Sequence, residues 1–180
     1  MRKRIVVEIE IPEGVTLNRE GNQFTIKGEY GVVRRKFYVP GIIIELHENK
    51  LIITSKKVSK REKTIIHTFR AHFNNAFKGV QHGYTYKLRI CSGHFPMNVS
   101  FNNNLLSISN FLGEKVPRTV KINPEVKVKI DGREITLEGS DKEMVAQAAA
   151  DIEQRTRRPG FDKRIFQDGI YVVQKAGKEI

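Results

Sequence analysis

Five histidines, one cysteine and a Ser-Gly-His triplet are the residues of this chain best suited to chemistry. His67 and His72 stand five apart, so a helix would place them on different faces, and no glutamate completes an HExxH arrangement. His47, His82 and His94 scatter among expected strand ends and turns. A zinc centre needs three or four Cys, His or carboxylate donors gathered together, and this pattern gathers none. Ser92, beside Gly93 and His94, could be read as a nucleophile. However, its flanks lack the GxSxG elbow, and neighbouring strand residues point to opposite faces. The stretch Gly79 to Gly83 lacks both the spacing and the Lys-Ser/Thr of a phosphate loop, and no GxGxxG occurs. Asp131 and Glu134 fall in an expected hairpin, where solvated turn residues account for them. Cys91 reads as a small buried apolar residue, and a lone cysteine fits a reducing compartment. No catalytic residue, metal, cofactor or small-molecule substrate is therefore expected.

Charge is more informative. The chain carries 32 Lys and Arg against 20 Asp and Glu, a net charge of +12. Such a surplus points to a polyanionic partner, with nucleic acid ahead of a membrane surface. No stretch approaches the roughly 18 apolar residues of a membrane span, and no apolar secretory core follows the first residues. The surplus is unevenly placed. Residues 1–80 hold 16 basic and 8 acidic residues, largely from Arg2-Lys3-Arg4, Arg34-Arg35-Lys36 and an expected loop over Lys56–Lys63. Residues 81–154 hold 9 of each sign. The second half's whole excess lies in its last 26 residues, in Arg155, Arg157, Arg158, Lys163, Arg164, Lys175 and Lys178. Phe161, Ile165, Phe166, Ile170 and Tyr171 are interleaved there and can anchor the segment on its domain. The cations then remain available for phosphates, which guanidinium groups bind bidentately.

The elements that position these residues follow a repeated plan. Ile5, Val7, Ile9 and Ile11 alternate with polar residues, as a half-buried strand requires. Strand-like runs follow at 23–27, 32–39, 42–46 and 51–54, separated by turn residues. Ile65, Phe69, Phe73 and Ala76 then recur at helical spacing, with Gly79 as the expected C-cap. The second half starts with the alternation Tyr84, Tyr86, Leu88, Ile90. Runs at 97–101, 105–110, 116–122, 126–130 and 134–137 follow, with Asp131-Gly132 as a hairpin turn. A helix begins near Asp141, with Val145, Ala148, Ala149 and Ile152 inward. Each helix is expected to open with a capping box, Ser59 to Glu62 and Ser140 to Glu143, after a hairpin of similar length. The reading is an α+β fold of two duplicated small domains, 1–80 and 81–180, each with antiparallel sheets and one helix.

Four stretches carry a family resemblance: His94 to Val99, Asn110 to Lys115, Leu137 to Asp141 with the Ala-rich helix after it, and Phe166 to Val172. In this order they make the chain resemble the sixth protein of the large ribosomal subunit, in its archaeal and eukaryotic form more than its bacterial one. That resemblance implies two duplicated domains and a cytoplasmic, ribosomal location. It also implies a structural role, with the C-terminal domain on large-subunit rRNA near the base of the sarcin–ricin loop, below the landing site of translation factors. Neighbouring large-subunit proteins are the further partners. The family's basic segment falls on Arg155, Arg157, Arg158, Lys163 and Arg164. Where bacterial relatives have a Pro/Tyr/Gly/Lys-rich run, this chain has Phe161 to Gly169. The alternative from residue chemistry is a free-standing RNA-binding module or RNA chaperone.

Overall fold

The computed structural model describes residues 5–47, 49–55, 59–162 and 164–180. It separates into two compact units, Met1–Gly83 and Tyr84–Ile180.

The first unit runs β1 (Ile5–Glu10), β2 (Thr16–Glu20), β3 (Gln23–Gly28), β4 (Gly31–Lys36), β5 (Ile42–His47), β6 (Lys50–Ser55) and α1 (Lys60–His82). Two three-stranded antiparallel sheets result, ordered β2-β3-β4 and β5-β6-β1. β2 is absent from the sequence expectations because only Leu17 on it is buried; its other residues are polar and exposed. α1 packs on β1, β3, β4 and β6. Its inward row is Ile66, Phe69, Phe73, Ala76, Phe77 and Val80, with Ile65 only partly covered. Phe37 lies 4.3 Å from Phe73 and 5.0 Å from Phe69 between ring centroids, and Phe24 lies 5.3 Å from Phe73. Each buried ring stabilises the unit by about 1.5–3 kcal/mol relative to exposure.

Both ends of α1 differ from the sequence expectation. The helix continues past Gly79 to His82 and is capped by Gly83, whose N–H donates to the Gly79 carbonyl at 2.9 Å. A mid-helix glycine costs about 1 kcal/mol, and burial of Val80, which is fully covered, outweighs it. Gly83 is required for two reasons: its φ is +70°, and a Cβ there would lie 2.3 Å from the Tyr30 ring. At the start, Lys60, Arg61 and Lys63 belong to the first helical turn rather than to a basic loop; Lys56, Lys57 and Val58 lie outside the described residues. The Ser59 hydroxyl donates to the Glu62 carboxylate and caps no backbone amide, so the hydroxyl cap expected of the box is missing.

The second unit runs β7 (Tyr84–Cys91), β8 (Asn98–Asn102), β9 (Leu105–Ser109), a 3-10 turn over Phe111–Gly113, β10 (Arg118–Lys121), β11 (Lys127–Asp131), β12 (Glu134–Gly139), α2 (Lys142–Arg155), β13 (Gly169–Lys175) and β14 (Lys178–Glu179). Its sheets are β10-β9-β8 and β11-β12-β7-β13-β14. Val145, Ala148, Ala149 and Ile152 form the buried row of α2, as their spacing predicts. The N-cap is Asp141 rather than Ser140, and its carboxylate accepts from the Glu143 N–H at 2.9 Å. A carboxylate suits this place better than a hydroxyl, because its charge also meets the positive end of the helix dipole.

The duplication is visible in the register. Glu10 faces Lys50 and Ile9 faces Leu51 in the first unit; Arg89 faces Glu134 and Leu88 faces Ile135 in the second. Each pairing is closed by the next amide, Ile11 to the Asn49 carbonyl at 3.0 Å and Ile90 to the Arg133 carbonyl at 2.8 Å. β1 is thus the counterpart of β7, the β2–β4 meander of β8–β10, and the β5–β6 hairpin of β11–β12. Among the described residues, strands β13 and β14 have no counterpart in the first unit.

Candidate nucleic-acid interface

The basic C-terminal segment begins on a strongly held base. Thr156, directly after α2, is buried; its hydroxyl donates to the Glu153 carbonyl at 3.0 Å and accepts from the Ile170 N–H at 3.0 Å. The Glu153 carboxylate accepts from the Val172 N–H at 3.1 Å. The helix end is therefore tied to β13, and β13 lies against β7. Arg118, from β10, completes the base. It donates to both oxygens of Glu114 at 2.7 and 2.6 Å and to the Arg155 carbonyl at 2.7 Å, with its guanidinium 4.4 Å from the centre of the Phe111 ring. Arg118 thereby satisfies a helix-end carbonyl that has no partner inside the helix. These Arg118 hydrogen bonds hold the Glu114 carboxyl below its ordinary pKa.

Sequence reasoning missed Arg118. Its four-residue spacing from Glu114 suggests an ion pair only on a helix, and here it spans a 3-10 turn and the start of a strand.

The candidate cations that follow this base differ in what holds them. Arg155 and Arg157 are exposed, and among the described residues neither guanidinium has an ion-pair or hydrogen-bond partner. Arg158 is half-buried, 3.6 Å from Glu114 and stacked 4.3 Å over Phe161. After Gly160 at φ +85° the chain turns back. Arg164 is exposed but held by Asp162 at 2.8 Å, and its hydrogen bonds pull the Asp162 carboxyl down from its ordinary pKa. Lys163 lies outside the described residues.

Lys175 and Lys178 are elsewhere. They face each other across the β13–β14 hairpin, joined by Ala176 and Gly177, both at positive φ. Lys175 is five residues along β13 from Ile170, roughly 17 Å from the helix end at the usual strand rise. The described residues named from sequence thus fall in two places, the chain after α2 and the β13–β14 hairpin.

The His94 region, considered above for a nucleophile, is a structural latch. Asp168 is buried and accepts from the Gly93 N–H at 2.7 Å, the His94 N–H at 3.0 Å and His94 Nδ1 at 2.5 Å. Burial raises its pKa, but the bonds from His94 and Gly93 outweigh burial and hold it below the ordinary value. The His94 ring stacks on Phe166 at 4.9 Å, and Phe166 meets Phe161 edge-on at 4.9 Å. Among the described hydrogen bonds none joins Ser92 to His94, and no group of three metal-ligating side chains comes together among the described residues. No helix among the described residues is long and apolar enough to cross a membrane. The cavity between the helix end and Phe161, about 80 Å³, falls well below the 300 Å³ at which ligand pockets usually start. What the arrangement offers is a rigid, cation-bearing surface.

The sequence matches the family described as Ribosomal protein L6 twice, over residues 11–83 and 95–169, one match in each unit. It is 48% identical over 176 residues to the large ribosomal subunit protein uL6 of Methanosarcina mazei, covering 98% of this chain and 100% of that protein. It is 46% identical over 171 residues to the protein of the same name from Methanococcus vannielii, covering 95% and 94%.

Proposed function

The chain belongs to the ribosomal protein L6 family, and we propose that it fastens large-subunit rRNA near the base of the sarcin–ricin loop, beneath the region where translation factors bind. It is a structural protein of the large ribosomal subunit and not an enzyme. In this reading it works in the cytoplasm, with rRNA and neighbouring large-subunit proteins as partners.

One observation carries the RNA contact. Arg155 and Arg157 are uncommitted guanidiniums on a base locked by Thr156, Glu153 and Arg118. A row whose position is already fixed loses little further freedom on meeting phosphates, and RNA helices are read mainly through backbone and shape. Lys175 and Lys178 form the second patch. Like charges directly opposite on paired strands repel, and a phosphate between them removes that cost. Arg158 and Arg164 contribute less, since each already has an anionic neighbour. The second unit is the principal RNA contact; the described cations of residues 1–80 stand in separate elements and make peripheral contacts.

The test is filter binding of the whole chain to large-subunit rRNA across a salt series. Each phosphate neutralised contributes about 0.7–0.9 to the slope of log affinity against log salt. Arg155→Ala with Arg157→Ala leaves folding within about half a kcal/mol, as exposed substitutions do, and flattens that slope by up to two such contacts. Unchanged affinity and slope in this double variant would remove the segment as the principal contact.

A further inference from the structure

Among the described residues, the β5-β6-β1 sheet of the first unit stops at β1, whose counterpart β7 lies inside its sheet. Hydrogen bonds of an antiparallel strand point alternately to either side. Because the Ile11 amide turns toward Asn49 of the β6 side, Ile5, Val7 and Ile9 turn their main-chain groups toward β6. The N–H and C=O groups of Val6, Glu8 and Glu10 therefore point to the open side. Among the described residues no hydrogen bond is made to them. In the second unit the matching groups of β7 belong to Lys87 and Arg89, and β13 takes them, with Gln174 opposite Lys87 and Tyr171 opposite Arg89.

The core is unfinished at the same place. Val7 remains partly exposed, while its counterpart Tyr86 is 5% exposed beneath the sheet that β13 extends with fully buried Ile170. On the outer face Val6 is 51% exposed and Glu8 and Glu10 stand in water. Among the described residues Lys50, 3.5 Å from Glu8, is the one cation paired with them, and that pair is itself exposed.

We propose that β1 accepts an added strand from another protein of the large subunit, as β7 accepts β13. That segment is extended, apolar on the side facing the core and rich in Lys or Arg on the outer side. The alternation is set by the pleat, which gives one face to Val7 and Ile9 and the other to Glu8 and Glu10. The carboxylates select the charge. They also exclude two other occupants: a second copy of β1, which would set glutamates against glutamates, and RNA, whose phosphates they repel. The inference rests on the chain being a large-subunit protein, so its test reads the two claims separately.

Large subunits assembled with this chain are washed in high salt and sedimented, and backbone hydrogen exchange of the peptide over residues 5–11 is compared with that of the isolated chain. A carbodiimide then joins any carboxylate to an adjacent lysine. The expected result is slowed exchange in the particle only, with a cross-link from Glu8 or Glu10 to a lysine of another protein. The variant Glu8→Pro removes an outward N–H without breaking a bond to β6, which edge strands tolerate. It should still sediment with the subunit and lose both the protection and the cross-link. Exchange unchanged by assembly in a chain that co-sediments overturns the added strand alone. Protection that survives Glu8→Pro, or that comes without a protein cross-link, overturns it as well. A chain that does not co-sediment overturns both claims.

Discussion

Among the described residues the β5-β6-β1 sheet of the first unit ends at β1, whereas the β11-β12-β7 sheet of the second continues beyond β7 through β13 and β14. The same strand of the duplicated plan is an edge in one unit and an interior strand in the other. Burial follows: Leu88 on β7 is fully covered, while its counterpart Ile9 keeps 5% exposure and Val7 keeps more. The segment that leads into β13 also holds Arg157, Arg158 and Arg164. A short C-terminal extension of one copy thus completes a core and positions a charged surface together.

The comparison can be tested first in the core. Leu88→Ala should destabilise the second unit by about 4 kcal/mol and Ile9→Ala the first by about 2, the upper and lower parts of the range for buried aliphatic truncations. Residue-resolved hydrogen exchange reads each unit separately, and equal losses would mean that the extra strand adds nothing to β7. A smaller effect is expected at the latch. Asp168→Ala leaves the Gly93 and His94 amides without their acceptor, at about 2–3 kcal/mol, confined to the second unit. The latch has a pH signature too. Asp168 titrates lower when folded, so its contribution is full above the unfolded carboxyl pKa near 3.9 and is lost as pH falls through the folded value. NMR signals of Phe166 and His94 should therefore report loosening in acid in the wild type and not in the alanine variant. The smallest contrast lies at the helix starts. Asp141→Ala should cost about 1 kcal/mol. Ser59→Ala, which removes no bond to a backbone amide, should cost a few tenths of that, read by urea denaturation.

Periodicity in the sequence revealed most of the strands and the buried faces of both helices, because Phe69, Phe73 and Ala76, or Val145, Ala149 and Ile152, repeat at the spacing that burial demands. It concealed β2, where Leu17 alone turns inward. It misplaced the end of α1, since Gly79 looks like a cap while the burial of Val80 is a tertiary fact. Counting charges named Arg155, Arg157, Lys175 and Lys178 as candidates, but not their division between the helix end and the β13–β14 hairpin, which the course of β13 decides. Nor could it distinguish uncommitted arginines from those held by Glu114 and Asp162. The His94–Asp168 latch spans 74 residues, and nothing local marks either partner for the other.

The position of β13 bears on the order in which the protein can be made. Residues 1–83 contain every strand and the helix of the first unit, so that unit can fold while the rest is still being synthesised. The second unit cannot: β7 is its first strand, and the strand that flanks β7 arrives only with residues 169–175. Until then β7 has an open edge, Thr156 has no Ile170 amide to accept, and the arginines after α2 have no fixed base. A chain interrupted before β13 would carry most of the positive charge of the whole and lack the geometry to use it. Under the proposed function, competence for RNA is acquired at the end of translation, which discriminates against incomplete copies without a separate inspection step.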